Sequence, residues 1–490
     1  MDDQKLNEFY RNWQDRLPQM IDGYIYDGDK QLLPTRYAFS RFQKVIERFL
    51  TDELGEYEKI MILPGIRGVG KTTLLMQALR IERFLWRKDG ALLDALSKLE
   101  ERFYLDVSRL KLEGISLNDF FQFYEKIKGI QFEKLEGKHL ILLDEIHYDE
   151  NWGLFLKSVF DRTKGHKNLL VIATGSSAIN LKMNPDLSRR IVIEEIYPMK
   201  FSEFVILKHG LKFYPPRGLS TELQEVIFNA PNASGVYELL RVKSSQVERF
   251  FANAPSGAEE EFFTTGSFPF ALHVENRIKA LERIRSVVNS IILKDVVTLK
   301  KFNTQTIGKV GTLLYLLANS DVVSYEKLQQ SLKIPEFRTI DSLVEVLVMS
   351  GLLVRVPTYG KTYGSARKTP KLLFVAPALR SAILDNNFLS GIEGKKLEDY
   401  FALVYTKDLK DNFAVGLAYD FAQGGADFVL TMKDRSKIVV EVGFHKEEVR
   451  QVENTLKKTQ GKYGIVFGSQ KLELVGESIV KVPLGYLLLL

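Results

Sequence analysis

The chain has 490 residues, which suits about three domains, and 45% of them are hydrophobic and 27% charged. Its formal net charge of +6 is modest, so any nucleic-acid surface must be local. The absence of cysteine excludes disulfides and thiolate metal sites. No apolar run reaches the roughly 18 residues of a membrane span, and the polar start does not suit a signal peptide, so we expect a cytoplasmic protein without membrane contact.

Residues 1–45 are predicted as an N-terminal helical segment, and residues 46–205 as a nucleotide-binding module. Inside the module, an apolar strand at 60–63 leads into a loop with the pattern G-x-x-x-x-G-K-[ST]. Such a loop turns consecutive backbone N–H groups inward around an anion, and the helix predicted over 73–85 points its positive N-terminal dipole at it. A chance glycine-rich turn is the alternative.

The predicted nucleotide ligands in this loop are Gly65, Arg67, Gly68, Gly70, Lys71, Thr72 and Thr73. Lys71 is expected to reach the β- and γ-phosphates, and the Thr72 hydroxyl to bind Mg²⁺. For Arg67, contact with a phosphate and exposure to solvent are equal alternatives.

Further strand patterns alternate with helical ones, as a parallel sheet with crossovers requires. These runs are at 102–107, 138–145, 168–177 and 191–196. Ligands of such sheets collect beyond the carboxyl ends of the strands, where polar residues follow two of these runs.

Asp144 is predicted to hold Mg²⁺, and Glu145 to orient and deprotonate the attacking water. The hydroxyls of Thr174 and of Ser176 or Ser177 are candidates for sensing the γ-phosphate or for fixing the attacking water. The alternative is that the two carboxylates merely end a strand.

Five ordered motifs in this module resemble the AAA-type ATPases of archaea and bacteria, which are close to the STAND signalling ATPases. The motifs are the phosphate loop, Leu143-Asp144-Glu145-Ile146-His147 with Trp152, Ala173-Thr174-Gly175-Ser176-Ser177, Ser188-Arg189-Arg190 and Tyr197-Pro198-Met199-Lys200-Phe201-Ser202-Glu203-Phe204. The resemblance covers residues 60–205. It implies an arginine finger before the fifth strand, at Arg189 or Arg190, where a guanidinium stabilises charge during phosphoryl transfer. A salt-bridged surface arginine is the alternative, and His147 is interpreted as structural.

Residues 206–302 are predicted as a helical lid and linker that converts nucleotide state into domain rotation. Residues 303–385 are predicted as a winged helix, with helices followed by two strands and a glycine-rich connection. Its segments are helices at 307–318, 324–332 and 338–349 and strands at 351–358 and 370–375.

Between residues 351 and 384 the chain carries six basic residues and no acidic one, with tyrosines interleaved. The basic residues are Arg355, Lys361, Arg367, Lys368, Lys371 and Arg380. This composition is typical of a wing on a phosphate backbone, and Lys361, Arg367, Lys368 and Lys371 are the predicted DNA contacts. The preceding helix carries Asp341 and Glu345, which repel phosphate, so a purely structural winged helix is the alternative.

Residues 386–490 resemble the PD-(D/E)xK restriction-endonuclease superfamily in their predicted helix, hairpin, helix and strand. The resemblance implies a second metal site at Glu398, Asp427 and Glu441. The motif departs from the family where Gly443 replaces the expected lysine, and Lys446 or His445 is the candidate replacement. A scaffold that binds DNA or a partner without cleaving is the alternative.

The expected fold class is thus multidomain α/β: a P-loop ATPase with a parallel sheet, a helical lid, a winged helix and an endonuclease-like domain. The expected function is ATP binding and hydrolysis with Mg²⁺, coupled to action on DNA. A nucleotide-controlled switch with a protein partner and an ATP-gated nuclease are the alternatives. An arginine finger that acts in trans would require an oligomer.

Overall fold

The structure is a computed structural model. It describes residues 3–84, 90–175, 187, 189–210, 216–296, 302–320, 323–360, 369–384, 392–410 and 412–490. The chain divides into two compact units, Met1–Ile196 and Tyr197–Leu490. None of the described helices is long and apolar enough to cross a membrane.

The first unit is built on a five-stranded sheet. Its strands are β1 (Ile60–Pro64), β2 (Leu99–Asp106), β3 (Lys138–Asp144), β4 (Leu169–Gly175) and β5 (Val192–Ile193). They lie in the order β2-β3-β4-β1-β5, and every neighbouring pair is parallel. All residues of β1, β3 and β4 are buried, as the uninterrupted apolar runs predict for strands covered on both faces.

Seven α-helices accompany this sheet in the described part of the unit. They are α1 (Asp3–Ile25), α2 (Tyr37–Leu50), α3 (Lys71–Leu79), α4 (Gly90–Ser97), α5 (Val107–Leu112), α6 (Leu117–Lys128) and α7 (Trp152–Arg162). Short 3₁₀ turns lie at Glu56–Glu58, Ile81–Arg83, Phe132–Lys134 and Ile146–Tyr148. The helix predicted over 73–85 ends earlier, at Leu79. The fifth strand, predicted over 191–196, has only two residues.

The second unit begins with helices and ends with a sheet. Its helices are α8 (Phe201–His209), α9 (Pro216–Asn229), α10 (Ala233–Asn253), α11 (Ala258–Glu261), α12 (Arg277–Ser290), α13 (Thr304–Gly308), α14 (Val310–Asn319), α15 (Tyr325–Leu332), α16 (Phe337–Met349), α17 (Pro377–Leu384), α18 (Ile392–Val404), α19 (Arg450–Thr459) and α20 (Leu484–Leu489). Stretches of π-helix lie at Phe262–Gly266, Ile291–Val296 and Tyr405–Leu409, and a 3₁₀ turn lies at Pro269–Ala271.

A two-stranded antiparallel sheet follows α16, formed by β6 (Leu353–Val356) and β7 (Lys371–Phe374). The order of three helices and a hairpin is the one that the winged-helix prediction requires. The assignment of that fold stays a prediction.

A six-stranded mixed sheet occupies the C-terminal part of this unit. Its strands are β8 (Ala414–Ala418), β9 (Phe428–Met432), β10 (Lys437–Val442), β11 (Tyr463–Ser469), β12 (Glu473–Val475) and β13 (Ile479–Pro483), in the order β12-β13-β11-β10-β9-β8. The hairpin β9–β10 is antiparallel, α19 follows it, and β11 returns parallel to β10. These elements agree with the predicted hairpin, helix and strand, and the endonuclease-like assignment stays a prediction.

A buried ion pair joins the hairpin region to the sheet region. Arg380 of α17 and Asp399 of α18 are both fully buried, and two hydrogen bonds of 2.7 and 2.9 Å connect them. Arg380 also donates to the carbonyl of Ala318, and Asp399 accepts from the backbone of Phe374. These bonds tie α14, β7, α17 and α18 together around one charge pair.

Candidate nucleotide-binding site

The phosphate loop has the backbone geometry that its sequence predicts. Gly68 and Gly70 have φ angles of 82° and 88°, in the left-handed region that glycine adopts without strain. A Cβ atom at Gly65 would lie 2.4 Å from the carbonyl oxygen of Ile196, so this position also needs glycine. α3 begins at Lys71 directly after the loop, which places a helix N-terminus at the site.

Lys71, Thr72 and Asp144 come together at the carboxyl edge of the sheet. The Lys71 ammonium donates to the carbonyls of Gly65 and Ile66, at 2.8 and 3.2 Å. The Thr72 hydroxyl donates to one carboxylate oxygen of Asp144 at 2.7 Å, and the Thr174 hydroxyl donates to the other. Burial raises the pKa of Asp144, although both hydroxyls oppose that shift.

These oxygens fit a hard cation. A Mg²⁺ ion at a phosphate loop takes few protein ligands and completes its shell with phosphate and water oxygens. The Thr72 hydroxyl and the Asp144 carboxylate are adjacent and suit that role. No group of three or more acidic, histidine or cysteine side chains able to hold a metal ion occurs in the described residues. A phosphate-loop magnesium site does not need such a group, because phosphate and water supply most of its ligands.

Glu145 follows the buried Asp144 and is more accessible. Its backbone is left-handed, with φ of 52°, and its N–H donates to the Thr174 hydroxyl at 3.2 Å. Its side chain is 23% exposed, whereas Asp144 is 3% exposed. One oxygen of Glu145 is buried, so the pair offers one buried carboxylate for a cation and one partly exposed carboxylate for a water molecule.

His147 lies beside the predicted base, with its Nδ1 3.5 Å from a carboxylate oxygen of Glu145. Burial, together with the nearby charges of Arg67 and Lys71, lowers the pKa of His147 to about 3. The imidazole is therefore neutral at physiological pH and does not form an ion pair with Glu145.

Two contacts that support the site could not be predicted from local patterns. The hydroxyl of Tyr104, on β2, donates to Asp144 at 3.1 Å, and the Trp13 indole of α1 stacks on Tyr104 and donates to its carbonyl at 2.7 Å. The Arg36 guanidinium donates to the carbonyl of Val69 inside the phosphate loop. Residues of the N-terminal segment thus hold both the loop and the carboxylate.

A further carboxylate, Asp106, was also missed. It ends β2 at the position opposite Asp144 in the register of β2 and β3. Its side chain caps α5 by accepting hydrogen bonds of 2.9 and 2.6 Å from the N–H and hydroxyl of Ser108. Asp106 is therefore anchored as a helix cap beside the site.

The two predicted finger arginines lie at the opposite edge of the sheet. Both precede β5, which runs parallel to β1, so they lie at the amino edge, whereas the phosphate loop follows the carboxyl end of β1. Arg190 is 3.1 Å from Asp161 and lies over the Phe160 ring, and Arg189 is exposed. A finger acting on the nucleotide of the same chain does not fit this placement. Action on a neighbouring chain stays a prediction.

The predicted second metal site is a cluster of carboxylates and lysines in the other unit. Asp427 accepts from the Val442 N–H at 3.1 Å, and Glu441 accepts from the Asp427 N–H at 3.0 Å. Lys446 pairs with Glu441 at 2.7 Å, so it reaches the cluster, as the prediction of a displaced lysine requires. Burial raises the pKa of Glu441 to about 7, with a further contribution from Asp427.

Lys371 also enters this cluster, which corrects its assignment as a DNA contact. It is buried, contacts Glu398 and lies 3.2 Å from Asp427. Two ammonium groups thus lie among the three carboxylates, and this arrangement does not present the three-ligand metal site that was predicted. Each of the three carboxylates thus contacts the ammonium group of a lysine.

The basic residues between 351 and 384 are less available for contact with DNA than their number suggests. Arg355 pairs with Asp341 at 2.6 Å, and Arg380 is fully buried against Asp399. The predicted DNA contacts Lys361, Arg367 and Lys368 lie outside the described residues, as do Ser176 and Ser177 of the nucleotide site.

Comparisons with known proteins support the reading of the first unit. Residues 57–205 match the family described as AAA domain, and residues 258–390 match a domain of unknown function, DUF8612. A Methanocaldococcus jannaschii protein described as uncharacterized protein MJ1637 is 32% identical over 495 residues, which cover 99% of this chain and 94% of the relative. The predicted AAA-type P-loop ATPase domain is confirmed at this level.

Two solved structures show weaker likeness. The Walker-type ATPase PABY2304 of Pyrococcus abyssi is 18% identical with a TM-score of 0.38, covering 72% of this chain and 98% of its own. The Aeropyrum pernix Orc1 protein, solved in complex with DNA, is 16% identical with a TM-score of 0.31, covering 73% and 94%. Neither likeness is strong enough to support an inference about function.

Proposed function

Because the chain belongs to the family of the M. jannaschii protein MJ1637 and contains an AAA domain, we propose that it is a magnesium-dependent ATPase that couples hydrolysis to domain movement on DNA. The observation that carries the ATPase proposal is the convergence of three groups at one sheet edge. These are the phosphate loop, the buried Asp144 with its two hydroxyl partners, and the accessible Glu145.

Each of these groups has a defined part in hydrolysis. The loop N–H groups and Lys71 bind the β- and γ-phosphates, and Glu145 accepts a proton from the attacking water. The water oxygen bonds to the γ-phosphorus while the bond to the β–γ bridging oxygen breaks, which yields ADP and phosphate. When bound by Thr72 and Asp144, Mg²⁺ neutralises charge on the phosphate oxygens.

The DNA part of the proposal rests on the basic residues of the hairpin connection. Lys361, Arg367 and Lys368 form a short cationic stretch with Tyr363, and binding through it is expected to weaken as salt rises. The helical region at 206–302 is proposed as the lid that responds to ATP and ADP. No cleavage step is proposed, because the carboxylates of the C-terminal cluster are paired with lysines.

A nucleotide-controlled switch with a protein partner is the second candidate. It is favoured by the engagement of Arg355, Lys371 and Arg380 with carboxylates, which leaves fewer cations for DNA. A switch is expected to turn over slowly, to retain nucleotide and to be indifferent to DNA.

Steady-state phosphate release with Mg²⁺-ATP tests both candidates. The rate is measured alone and with single-stranded, duplex and branched DNA, for the native chain and for Lys71→Ala. Lys98→Ala, which alters an exposed lysine of the same unit, is the matched control. Loss of hydrolysis in Lys71→Ala alone supports the ATPase. Stimulation by one DNA form supports the DNA proposal, and a rate unchanged by every DNA supports the switch.

A further inference from the structure

Lys371 is a buried cation of the two-stranded sheet whose ammonium contacts carboxylates from other elements of the unit. It belongs to β7 of the two-stranded sheet, whereas Glu398 lies on α18 and Asp427 immediately precedes β9. Its side chain is 7% exposed, and its ammonium contacts Glu398, lies 3.2 Å from Asp427 and sits 5.1 Å over the centre of the Phe428 ring. The contact is therefore an enclosed one and not a surface ion pair.

The hairpin that carries Lys371 is fastened to the edge of the C-terminal sheet by one tyrosine. The Tyr419 carbonyl accepts from the Tyr359 N–H at 2.7 Å, and its N–H donates to the Pro357 carbonyl at 3.0 Å. The Tyr419 hydroxyl donates to the carbonyl of Thr369 at 2.7 Å. Both arms of the hairpin are thus held at Tyr419, and Lys371 lies two residues beyond the second attachment.

The two lysines divide the cluster between them. Lys446 pairs with Glu441, and Lys371 pairs with Glu398 and Asp427. A divalent cation prefers the same carboxylate oxygens that the Lys371 ammonium contacts, so the two compete for one place. Removal of Lys371 takes a contacting cation away from buried carboxylates, which is unfavourable unless another cation replaces it.

We propose that Lys371 is a built-in counter-ion that occupies the place of a divalent cation at Glu398 and Asp427 and keeps these carboxylates closed to one. The proposal is independent of the ATPase proposal, since it concerns residues of the second unit alone. It also accounts for the lack of a three-ligand metal arrangement among the described residues.

Binding of Mn²⁺ to the full-length chain without nucleotide tests the proposal. Free Mn²⁺ is measured by electron paramagnetic resonance for the native chain, Lys371→Met and Lys371→Met with Asp427→Asn. We expect Lys371→Met to gain one Mn²⁺ site, at least about tenfold tighter than any site of the native cluster, and the added Asp427→Asn to abolish it. Binding at the ATPase site is common to all three proteins and cancels.

Two further variants separate loss of this cation from loss of any hairpin charge. Arg355→Met removes a cation of the same hairpin that pairs with Asp341 and is expected to gain no site. Lys371→Arg keeps the charge and is expected to stay closed. The proposal is wrong when the native chain binds Mn²⁺ through Asp427 as tightly as Lys371→Met, or when Lys371→Met gains nothing.

A measurement on the native chain covers the case in which Lys371→Met fails to fold. Lysine acetylation by a water-soluble reagent is followed by mass spectrometry, with and without saturating Mn²⁺. Lys371 is expected to react at least about tenfold more slowly than the exposed Lys98, equally with and without the metal. Reaction of Lys371 at the rate of Lys98, or its acceleration by Mn²⁺, overturns the proposal.

Discussion

Glu145 and Asp144 are neighbours in the chain but differ sharply in their surroundings. Asp144 is held by hydroxyls on both oxygens, whereas Glu145 has a left-handed backbone and an accessible carboxylate. A general base must accept a proton from water, and this accessible carboxylate suits that role.

Glu145→Gln is therefore expected to bind ATP normally, because the phosphate loop and Lys71 are unchanged. It is expected to lose about 10²–10⁴-fold in hydrolysis, because the proton acceptor is removed. Nucleotide binding and phosphate release are measured on the same preparation. Glu150→Gln, which alters a highly exposed carboxylate of the next turn, is the control and should change neither. Normal hydrolysis by Glu145→Gln would show that another group is the base.

His147 makes the stability of the first unit sensitive to acid. Its pKa is about 3 in the folded chain and about 6.5 when unfolded, so between these values the unfolded state binds a proton that the folded state does not. Stability is therefore lost as pH falls below about 6.5, by at most about 1.4 kcal/mol per pH unit.

His147→Gln is expected to reduce this loss by about 1 kcal/mol between pH 6.5 and 5.5, because glutamine does not titrate. The free energy of unfolding is measured in urea at both values. His166→Gln, which alters an exposed histidine of the same unit, is measured beside it as the matched variant. An identical slope for His147→Gln and the native chain would contradict a neutral buried imidazole.

At the scale of elements, the Arg380–Asp399 pair joins the helices of the hairpin region to α18. Arg380→Met is expected to cost about 3–5 kcal/mol in unfolding free energy, because it removes the guanidinium that pairs with the buried Asp399 carboxylate. Arg380→Met with Asp399→Leu should recover part of that loss. Arg355→Met, at a half-exposed ion pair, should cost about 1 kcal/mol or less. Equal losses from both single variants in chemical unfolding would refute this difference.

The elements most accessible to sequence analysis were those set by local patterns. The phosphate loop, β1, β3 and the Asp144-Glu145 pair depend on contiguous residues, and their positions agree with the prediction. Trp13, Arg36 and Tyr104 support the same site across large separations in sequence, so no local pattern identifies them.

The charges of residues 351–384 show a different limit of sequence analysis. Composition counts cations but does not show their partners, and three of the six are neutralised by carboxylates elsewhere in the chain. The pairs are Arg355 with Asp341, Lys371 with Glu398 and Asp427, and Arg380 with Asp399. A basic stretch in sequence is therefore a DNA surface only where its side chains remain exposed.

At the scale of the whole molecule, the position of Arg189 bears on assembly. An exposed arginine at the amino edge of the sheet cannot reach the phosphate loop at the carboxyl edge of the same sheet, because the length of β1 separates them. If Arg189 stabilises the transition state, it must therefore do so in a neighbouring chain.

Mixing two inactive variants tests this requirement. Arg189→Ala keeps an intact nucleotide site but lacks the finger, and Lys71→Ala keeps the finger but lacks the site. Each alone is expected to lose more than about tenfold in phosphate release, and an equimolar mixture to regain activity, because a Lys71→Ala chain supplies its arginine to an Arg189→Ala neighbour. Arg190→Ala serves as the control, since Arg190 is already paired with Asp161. Full activity of Arg189→Ala alone would exclude it as a finger, and a mixture that stays inactive would exclude its action between chains.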